Sequence, residues 1–237
     1  MIRLHHGGPV GHSASVLIAL AEKGIDYESD FVDLSEFEEF DPAFLALNPA
    51  GQVPVLEADG RVLTETFLIL LWLDESYPDP PLGGANPRAR YAVHKWGKYL
   101  ETHLAPNLAI VRWARRGGIA PDAADLARLP PERRALWQQA AAGFGEEQIE
   151  RARAALDTAL ERMVPDLAEG GWLAGSDCTL ADIALYPHVA QLDELGIGVP
   201  APVADWLARV AARPAVRAAA GEMPVLATMG PETGRWG

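Results

Sequence analysis

Cysteine is nearly absent from the sequence: Cys178 is the only one among 237 residues. A single thiol cannot form a disulfide within the chain, so a fold held together by disulfides is excluded. The chain also lacks any apolar run near the ~20 residues that a membrane-spanning helix needs. Residues 1–10 lack the basic start and apolar stretch of a signal peptide, so the cytoplasm is the expected location.

Positive charge is scarce as well, since 20 Lys and Arg residues stand against 33 Asp and Glu residues and give a net charge of −13. This balance argues against nucleic acid or an anionic membrane surface as the main partner, because both carry negative charge. The densest basic groups, over residues 112–116 and 133–134, are expected to be solvated helix faces. No group of His, Asp and Glu has the spacing of metal ligands, so no metal is expected.

Short apolar runs and helical patterns alternate in the first third of the chain. The predicted elements are a strand over residues 2–5, a helix over 13–23, strands over 27–34, 53–57 and 61–63, and helices over 42–47 and 65–76. Gly24 is a fitting end for the first helix, and Asp59-Gly60 between two apolar runs predicts a hairpin. The order β-α-β, short helix, β-β-α indicates a small mixed sheet with helices packed on it.

The pattern changes at a stretch rich in proline and glycine over residues 79–87, which we expect to link two domains. Beyond it the sequence predicts no convincing strand, but helices over residues 88–116, 132–167 (interrupted near 143–145), 180–192, 202–212 and 214–220, with a break over 117–131. Pro106 lacks a backbone N–H and is expected to kink the first of these helices. The expected organisation is a domain over residues 1–80, a linker over 81–87 and an all-helical domain over 88–237.

The stretch over residues 48–66 combines features that suit a small polar ligand. Its first part, N-P-A-G-Q-V-P-V-L, places Pro54 inside an apolar run, where a strand normally needs its N–H. Its last part, L-T-E-T, puts the carboxylate of Glu65 and the hydroxyl of Thr66 at the start of an apolar helix. A proline at a strand start and a polar helix N-terminus are both good places to hold a small polar peptide.

Taken together, these motifs resemble those of the glutathione S-transferase superfamily over nearly the whole chain. The run over residues 48–56 looks like the family's turn and cis-proline strand, and L-T-E-T over 63–66 looks like its acid-hydroxyl motif. In the second half, T-L-A-D over 179–182 and R-P-A-V over 213–216 are similar to its helix-capping box and the start of its C-terminal helix. The resemblance implies a thioredoxin-like N-terminal domain, an all-α helical-bundle C-terminal domain, glutathione as the cosubstrate and a homodimer.

The resemblance also implies how glutathione is held. The Val53–Pro54 bond would be cis, and the N–H and C=O of Val53 would pair with the cysteinyl backbone of glutathione. Glu65 would bind the ammonium of the γ-glutamyl group, and Thr66, at the positive end of a helix, would bind its carboxylate. The alternative is that Glu65 and Thr66 simply cap the helix.

The glycyl carboxylate of glutathione has no obvious partner in this sequence. Many members of the family use a Lys, Arg or His between the second strand and the proline strand, but residues 24–60 contain none. Gln52, or a residue from another element, must therefore serve.

In the family the sulfur of glutathione lies at the start of the first helix, where a hydrogen bond favours the nucleophilic thiolate. Here that segment is G-H-S-A-S over residues 11–15, without Tyr or Cys, so chemistry through a mixed disulfide with glutathione is not expected. Ser13 is the first candidate for stabilising the thiolate, Ser15 the second and His12 the third. The alternative for Ser13 is a simple N-cap, and Cys178 is expected to be a buried structural residue.

A hydrophobic, aromatic substrate is expected between the two domains, against the helix over residues 88–116. The candidate residues for this site are Tyr99, His103, Asn107, Ile110 and Trp113. His103 and Asn107 are polar and four residues apart, so they share a helix face and are expected to face a cavity. The alternative for aromatic side chains at helical spacing, such as Trp96, is a place in the core.

Within the superfamily, some stretches look like the bacterial glutathione-dependent β-etherase branch. They are G-P-V-G-H-S over residues 8–13, F-V-D-L-S-E-F-E over 31–38, and G-F over 143–144 with the long helix that follows. The implied reaction is attack of the thiolate on the carbon that bears an aryl ether, with expulsion of a phenolate, as in the cleavage of lignin-type ethers. The alternatives are a general detoxifying transferase, a glutathione-dependent isomerase, or a non-enzymatic accessory protein of the same fold.

Overall fold

The computed structural model describes residues 1–116 and 121–221, and the first part of the chain builds a four-stranded mixed sheet. The strands are β1 (Arg3–His6), β2 (Glu28–Phe31), β3 (Val55–Ala58) and β4 (Arg61–Leu63), in the order β2-β1-β3-β4. Strand β1 pairs in parallel with β2 and antiparallel with β3, which forms a hairpin with β4. The predicted mixed sheet is confirmed.

Apart from a 3-10 turn at Glu38–Phe40 and one π-helical turn, the regular elements outside the sheet are α-helices among the described residues. They are α1 (Gly11–Lys23), α2 (Pro42–Leu47), α3 (Thr66–Ser76), α4 (Pro87–Tyr99), α5 (Ala105–Arg116), α6 (Ala123–Arg128), α7 (Pro131–Ala142), α8 (Glu146–Gly170), α9 (Leu180–Val189), α10 (Ala201–Ala211) and α11 (Pro214–Ala220). In the described residues from Pro87 onward no strand is formed, apart from an isolated bridge between Trp172 and Gly175, so the predicted helical second half is confirmed. None of the helices described is long and apolar enough to cross a membrane.

The expectation of a break over residues 117–131 is wrong in part, because that region contains α6. Asp122 caps this helix by accepting the N–H groups of Ala124 and Asp125, each at 2.8 Å. The remaining residues of the expected break, 117–120, lie outside the described part of the chain.

Pro106 lies inside a helical segment that continues past it rather than ending there. A π-helical turn, Leu100–Leu104, joins α4 to α5 just before the proline. A π turn adds one residue to the hydrogen-bond ladder and commonly stands where the ladder is disturbed, here by the missing N–H of Pro106. The sequence pattern indicated the disturbance but not the form that it takes.

Helix α1 is the element that the sheet and the helical half share. It packs on α3 on one side and on α9 and α11 on the other. Its C-terminal Lys23 is buried, and the ammonium donates to Asp74 Oδ1 and Tyr77 O at 2.7 Å each and to Pro80 O at 2.9 Å. A buried charge is tolerated only when it is paired and hydrogen-bonded in this way, so Lys23 fixes the end of α1 to the chain that leaves the first domain.

The predicted capping box at the start of α9 is confirmed, and its acid does more than cap. Asp182 Oδ2 accepts the N–H and hydroxyl of Thr179 at 2.9 and 3.0 Å. Asp182 Oδ1 accepts the N–H of Leu173 at 3.0 Å and the indole N–H of Trp206 at 2.9 Å. One buried carboxylate therefore joins α9, α10 and the loop before α9.

Replacing Asp182 with Ala should lower the free energy of unfolding by more than a typical core substitution does. The variant leaves three buried N–H donors without an acceptor, and each such loss costs about 1–3 kcal/mol. We expect the free energy of unfolding in urea to fall by at least about 3 kcal/mol. Asp205→Ala, which removes an exposed carboxylate from α10, is the matched control, and equal unfolding curves for the two variants would contradict the role given to Asp182.

Candidate functional site

A glycine-rich turn leads from β1 to the start of α1, and two side chains fix its shape. His6 Nδ1 accepts the N–H of Gly8 at 3.1 Å, so its Nε2 carries the proton and donates to Ser29 Oγ at 2.8 Å. Burial lowers the pKa of His6 to about 4, which keeps the imidazole neutral, as this arrangement requires. Ser13 Oγ accepts the N–H of Gly7 at 3.1 Å from the other side.

The first turn of α1 has no side-chain cap. Its N-cap is Val10, which offers no side-chain oxygen, and no cap hydrogen bond is formed there. The N–H groups of Gly11, His12 and Ser13 therefore point out of the helix start, together with the positive end of the helix dipole. Such a terminus suits a small anion, and a thiolate is one.

The three candidates for stabilising the thiolate occupy different environments. Ser13 is buried, and because its hydroxyl accepts from Gly7, the hydroxyl hydrogen is left to donate elsewhere. Ser15 is fully buried, and its hydroxyl donates to Ala184 O of α9 at 3.3 Å, so it joins α1 to the helical half. Cys178 is buried as expected, and burial raises the pKa of its thiol, which keeps it protonated.

His12 points from the start of α1 toward the helical half. Its ring meets the edge of the His188 ring of α9, with centroids 4.5 Å apart, and its buried Nδ1 has no hydrogen-bond partner among the described residues. Burial, and then the charge of Arg112, lower the pKa of His12 to about 4. Burial likewise lowers the pKa of His188, with His12 as a further cause. Both imidazoles are thus neutral near pH 7, where a neutral ring can donate or accept one proton.

The turn before β3 presents an unpaired stretch of backbone. The Val53–Pro54 bond is cis, and the pairing of β3 with β1 extends only to Val55, so within the described structure the N–H and C=O of Val53 pair with no other backbone. Asn48 shapes the turn, because its side chain donates to Gln52 O at 2.8 Å and accepts from the N–H of Ala50 at 3.1 Å. The side chain of Gln52 is exposed.

Glu65 holds a backbone conformation that is unfavourable for its residue type. Its φ is +67°, in the region that favours glycine. It stands at the N-cap of α3, yet its side chain is exposed and makes no cap hydrogen bond. The capping alternative is therefore wrong for Glu65. The helix does not need this strained conformation in order to form, and strain at such positions is typical of ligand-binding sites. Thr66, which is half-buried, follows as the first residue of α3.

The candidate substrate residues fall into two groups on α4, the π-helical turn and α5. Tyr99 stacks on His103 with centroids 4.6 Å apart, and Asn107 donates to His103 O at 2.6 Å, so these three are brought together. Trp113 lies about four helical turns after Tyr99, and its ring centroid is 5.5 Å from that of Trp137. Ile110, between the groups, packs on the main apolar core. Trp96 is a core residue with 2% of its surface exposed, so the alternative of a place in the core is confirmed for it.

The part that α7 plays could not be predicted from its own residues. Residues 133–134, expected to be a solvated face, are only partly exposed, and both guanidinium groups bond to backbone carbonyls. Arg133 Nε donates to Ala50 O at 3.0 Å, in the turn before Val53, and Arg134 bonds carbonyls at the end of α6, such as Leu129 O at 3.0 Å. The signal that pointed here was the lack of any cation over residues 24–60.

Glu39 is a buried acid whose charge interacts with that of Arg133. Its surface is 3% exposed, and Oε2 has no hydrogen-bond partner among the described residues. Burial raises the pKa of Glu39 to about 7, although a backbone hydrogen bond and the charge of Arg133 oppose the change. The carboxyl group is therefore only partly ionised near neutral pH.

Replacing Glu39 with Gln should make stability less dependent on pH. With a folded-state pKa of about 7 against an ordinary value of 4.5, the folded protein retains a proton that the unfolded chain has already released. The stability of the parent therefore falls as pH rises through this window. The variant cannot ionise, so its free energy of unfolding relative to the parent should rise between about pH 5 and about pH 8, by up to about 3 kcal/mol.

Glu36→Gln is the control, because Glu36 is exposed three residues earlier. Urea unfolding at both pH values is the measurement. A difference between the Glu39 variant and the parent that does not change with pH would contradict the buried state of this carboxyl.

Comparison with known proteins places these features in a family. Family models of the glutathione S-transferase N-terminal and C-terminal domains match residues 12–76 and 146–218. Protein LigF of Sphingobium sp. (strain NBRC 103272 / SYK-6) is 28% identical, over 91% of each chain, and the crystal structure of beta-etherase LigF matches with a TM-score of 0.86 over 94% of this chain and 99% of that one.

Two further relatives extend the comparison. Maleylacetoacetate isomerase of Pseudomonas aeruginosa is 30% identical, over 87% of this chain and 90% of its own. Human glutathione transferase theta-2, in complex with glutathione and an unknown ligand, is 26% identical, with a TM-score of 0.72 over 89% of this chain and 81% of its own. This chain belongs to the glutathione S-transferase superfamily.

Proposed function

We propose that this protein is a glutathione transferase that cleaves β-aryl ethers. The thiolate of glutathione attacks the carbon that bears the aryloxy group. A C–S bond forms as the C–O bond breaks, and the phenolate leaves with the electron pair of that bond. The proton that the glutathione thiol released ends on the phenolate, so the products are a glutathione thioether and a phenol.

The conformation of Glu65 is the observation that carries glutathione binding. Its carboxylate is exposed and makes no cap hydrogen bond to the helix. Its backbone keeps a strained φ of +67°, which the helix does not need. The ammonium of the γ-glutamyl group would pair with this carboxylate, and Thr66 at the start of α3 would take the neighbouring carboxylate. The unpaired backbone of Val53 then supplies two hydrogen bonds to the cysteinyl residue, as an added strand would.

The uncapped start of α1 is the proposed place of the sulfur. The N–H groups of its first turn, together with the hydroxyl of Ser13, would favour the thiolate over the thiol by hydrogen bonding to the charge. His12 lies beside them and faces the helical half. Tyr99, His103 and Asn107, which form one group on the long helix, would contact the aromatic substrate.

The similarity to LigF favours an ether as the substrate, because it extends over 91% of both sequences and its crystal structure matches closely. The isomerase of P. aeruginosa, at 30% identity, supports a second candidate, a glutathione-dependent isomerase. The two differ in the fate of glutathione, which the first reaction consumes and the second regenerates.

Self-association and cytoplasmic location stay predictions, as do the domain limits at residues 80 and 88. The exposed apolar side chains of Val62, Leu68 and Tyr91, on β4, α3 and α4, are the surface that we propose for a second copy of the chain. Burying such side chains against a partner would remove apolar area from water.

Replacing Glu65 with Gly should separate binding from stability. Glycine tolerates a positive φ, so relief of strain offsets the added freedom of the unfolded chain, and stability should stay within about 1 kcal/mol of the parent. Loss of a charged hydrogen bond of about 1.5–3 kcal/mol should weaken glutathione binding at least tenfold, as measured by calorimetry.

Asp59→Gly is the matched control, because Asp59 also has a positive φ, of 51°, but lies in the β3–β4 turn. It should leave glutathione affinity unchanged. Equal affinity in the Glu65 variant and the parent would sink the assignment of the γ-glutamyl site.

Incubation of the purified protein with glutathione and a β-aryl ether dimer should release one phenol for each glutathione thioether formed. Chromatography with mass detection measures both products. Ser13→Ala should lower the rate and leave glutathione affinity nearly unchanged, because the hydroxyl acts on the charged sulfur. Isomerisation of maleylacetoacetate without net loss of glutathione, in the absence of any phenol release, would replace the ether with the second candidate.

A further inference from the structure

We propose that Arg133, carried by α7 of the helical half, binds the glycyl carboxylate of glutathione. This inference rests on the proposed function, since it names the partner of a group that only glutathione would bring. Residues 24–60, which include the turn before Val53, contain no Lys, Arg or His that could take a carboxylate. The cation must therefore come from another part of the chain.

The guanidinium of Arg133 is already held beside the proposed peptide site. Its Nε donates to Ala50 O at 3.0 Å. That bond uses one of the five N–H donors of the side chain. No ion pair of Arg133 is formed within the described residues, although Glu39 is the acid whose charge acts on it. The terminal Nη groups thus remain to receive a carboxylate, and a guanidinium can do so with two parallel bonds.

The direction of the bound peptide leads to the same place. With the cysteinyl backbone on Val53 and the γ-glutamyl group at Glu65, the glycyl end must leave on the opposite side, toward the turn before Val53. One extended residue advances about 3.4 Å, so the glycyl carboxylate lies only a few ångströms beyond the cysteinyl group. Ala50 is three residues before Val53, at most about 11 Å away along the chain. An arginine anchored there can reach the carboxylate.

The position of Arg133 is set by the close packing of α7, so Arg133 is not a flexible surface side chain. Trp137, one helical turn later on α7, is 7% exposed and meets the rings of Phe37 and Phe40 at 5.9 Å each. The turn before Val53 packs closely against this cluster of Trp137, Phe37 and Phe40. A Cβ at Gly51 would lie 2.8 Å from the Phe40 ring. The helix is therefore fixed against the turn that carries Ala50.

Trp137 positions α7 but offers no donor to a ligand. Its indole N–H is buried and has no acceptor among the described residues. Trp137 lies four residues after Arg133, on the same face of α7. The guanidinium of Arg133, which forms no ion pair within the described residues, is therefore the group on this face that can take a carboxylate.

The experiment compares two ligands, glutathione and its ethyl ester at the glycyl carboxylate, by isothermal titration calorimetry. The parent should bind glutathione at least tenfold more tightly than the ester. Arg133→Gln should bind glutathione at least tenfold more weakly than the parent, and it should bind the ester as the parent does. The preference between the two ligands should thus fall to near one, and Arg133→Lys should restore part of it.

Arg151→Gln is the control for loss of one positive charge, because Arg151 is exposed on α8 and pairs there with Glu147. It should keep the full preference. A preference that survives in Arg133→Gln, or equal weakening of both ligands by this change, would overturn the inference and leave Arg133 a structural residue. Failure of the parent to bind either ligand would instead overturn the proposed function, and this inference with it.

Discussion

The burial of α1 between the sheet and the helical half is the constraint on which the rest of the structure depends. Its middle is buried on both sides, and polar contacts fix it at several points. Lys23 ties its end to the chain leaving the first domain, Glu22 pairs with Arg213 at the start of α11, and Ser15 bonds a carbonyl of α9. Since α1 cannot move independently, its uncapped N-terminus holds one position relative to both halves. A thiolate placed there would meet a substrate bound by the second half in a fixed geometry.

Features encoded within a few neighbouring residues could be predicted from the sequence. Gly24 ends α1 with φ +60°, and the box from Thr179 to Asp182 starts α9, because each needs only local hydrogen bonds and backbone freedom. Contacts between distant segments could not be predicted. Arg133 reads as a solvated basic residue, and only the fold brings it to Ala50, 83 positions earlier. The same holds for His12 and His188, which are neighbours only because α1 packs on α9.

Residues that stabilise the fold and residues of the proposed binding site differ in how well their polar groups are paired. Asp182, a buried group that stabilises the fold, has both carboxylate oxygens hydrogen-bonded. In contrast, the proposed glutathione site contains unpaired and strained backbone: the N–H and C=O of Val53, and Glu65 with its φ of +67°. Folding tolerates these costs, and a bound peptide would offset them. In the proposed site, donors from α1, α3, the turn before β3 and α7 would surround the peptide, so both halves of the chain would contribute to it.

The proposed chemistry requires that the start of α1 converts bound glutathione into its thiolate. The most direct measurement is ultraviolet difference spectroscopy of the protein with glutathione across a pH series, which reports the thiolate of the bound ligand. A free thiol titrates near pH 8.5. We expect the pKa of bound glutathione to be at least one unit lower, because first-turn N–H groups and the Ser13 hydroxyl would stabilise the charge. Bound glutathione that titrates like the free thiol would rule out this role of α1.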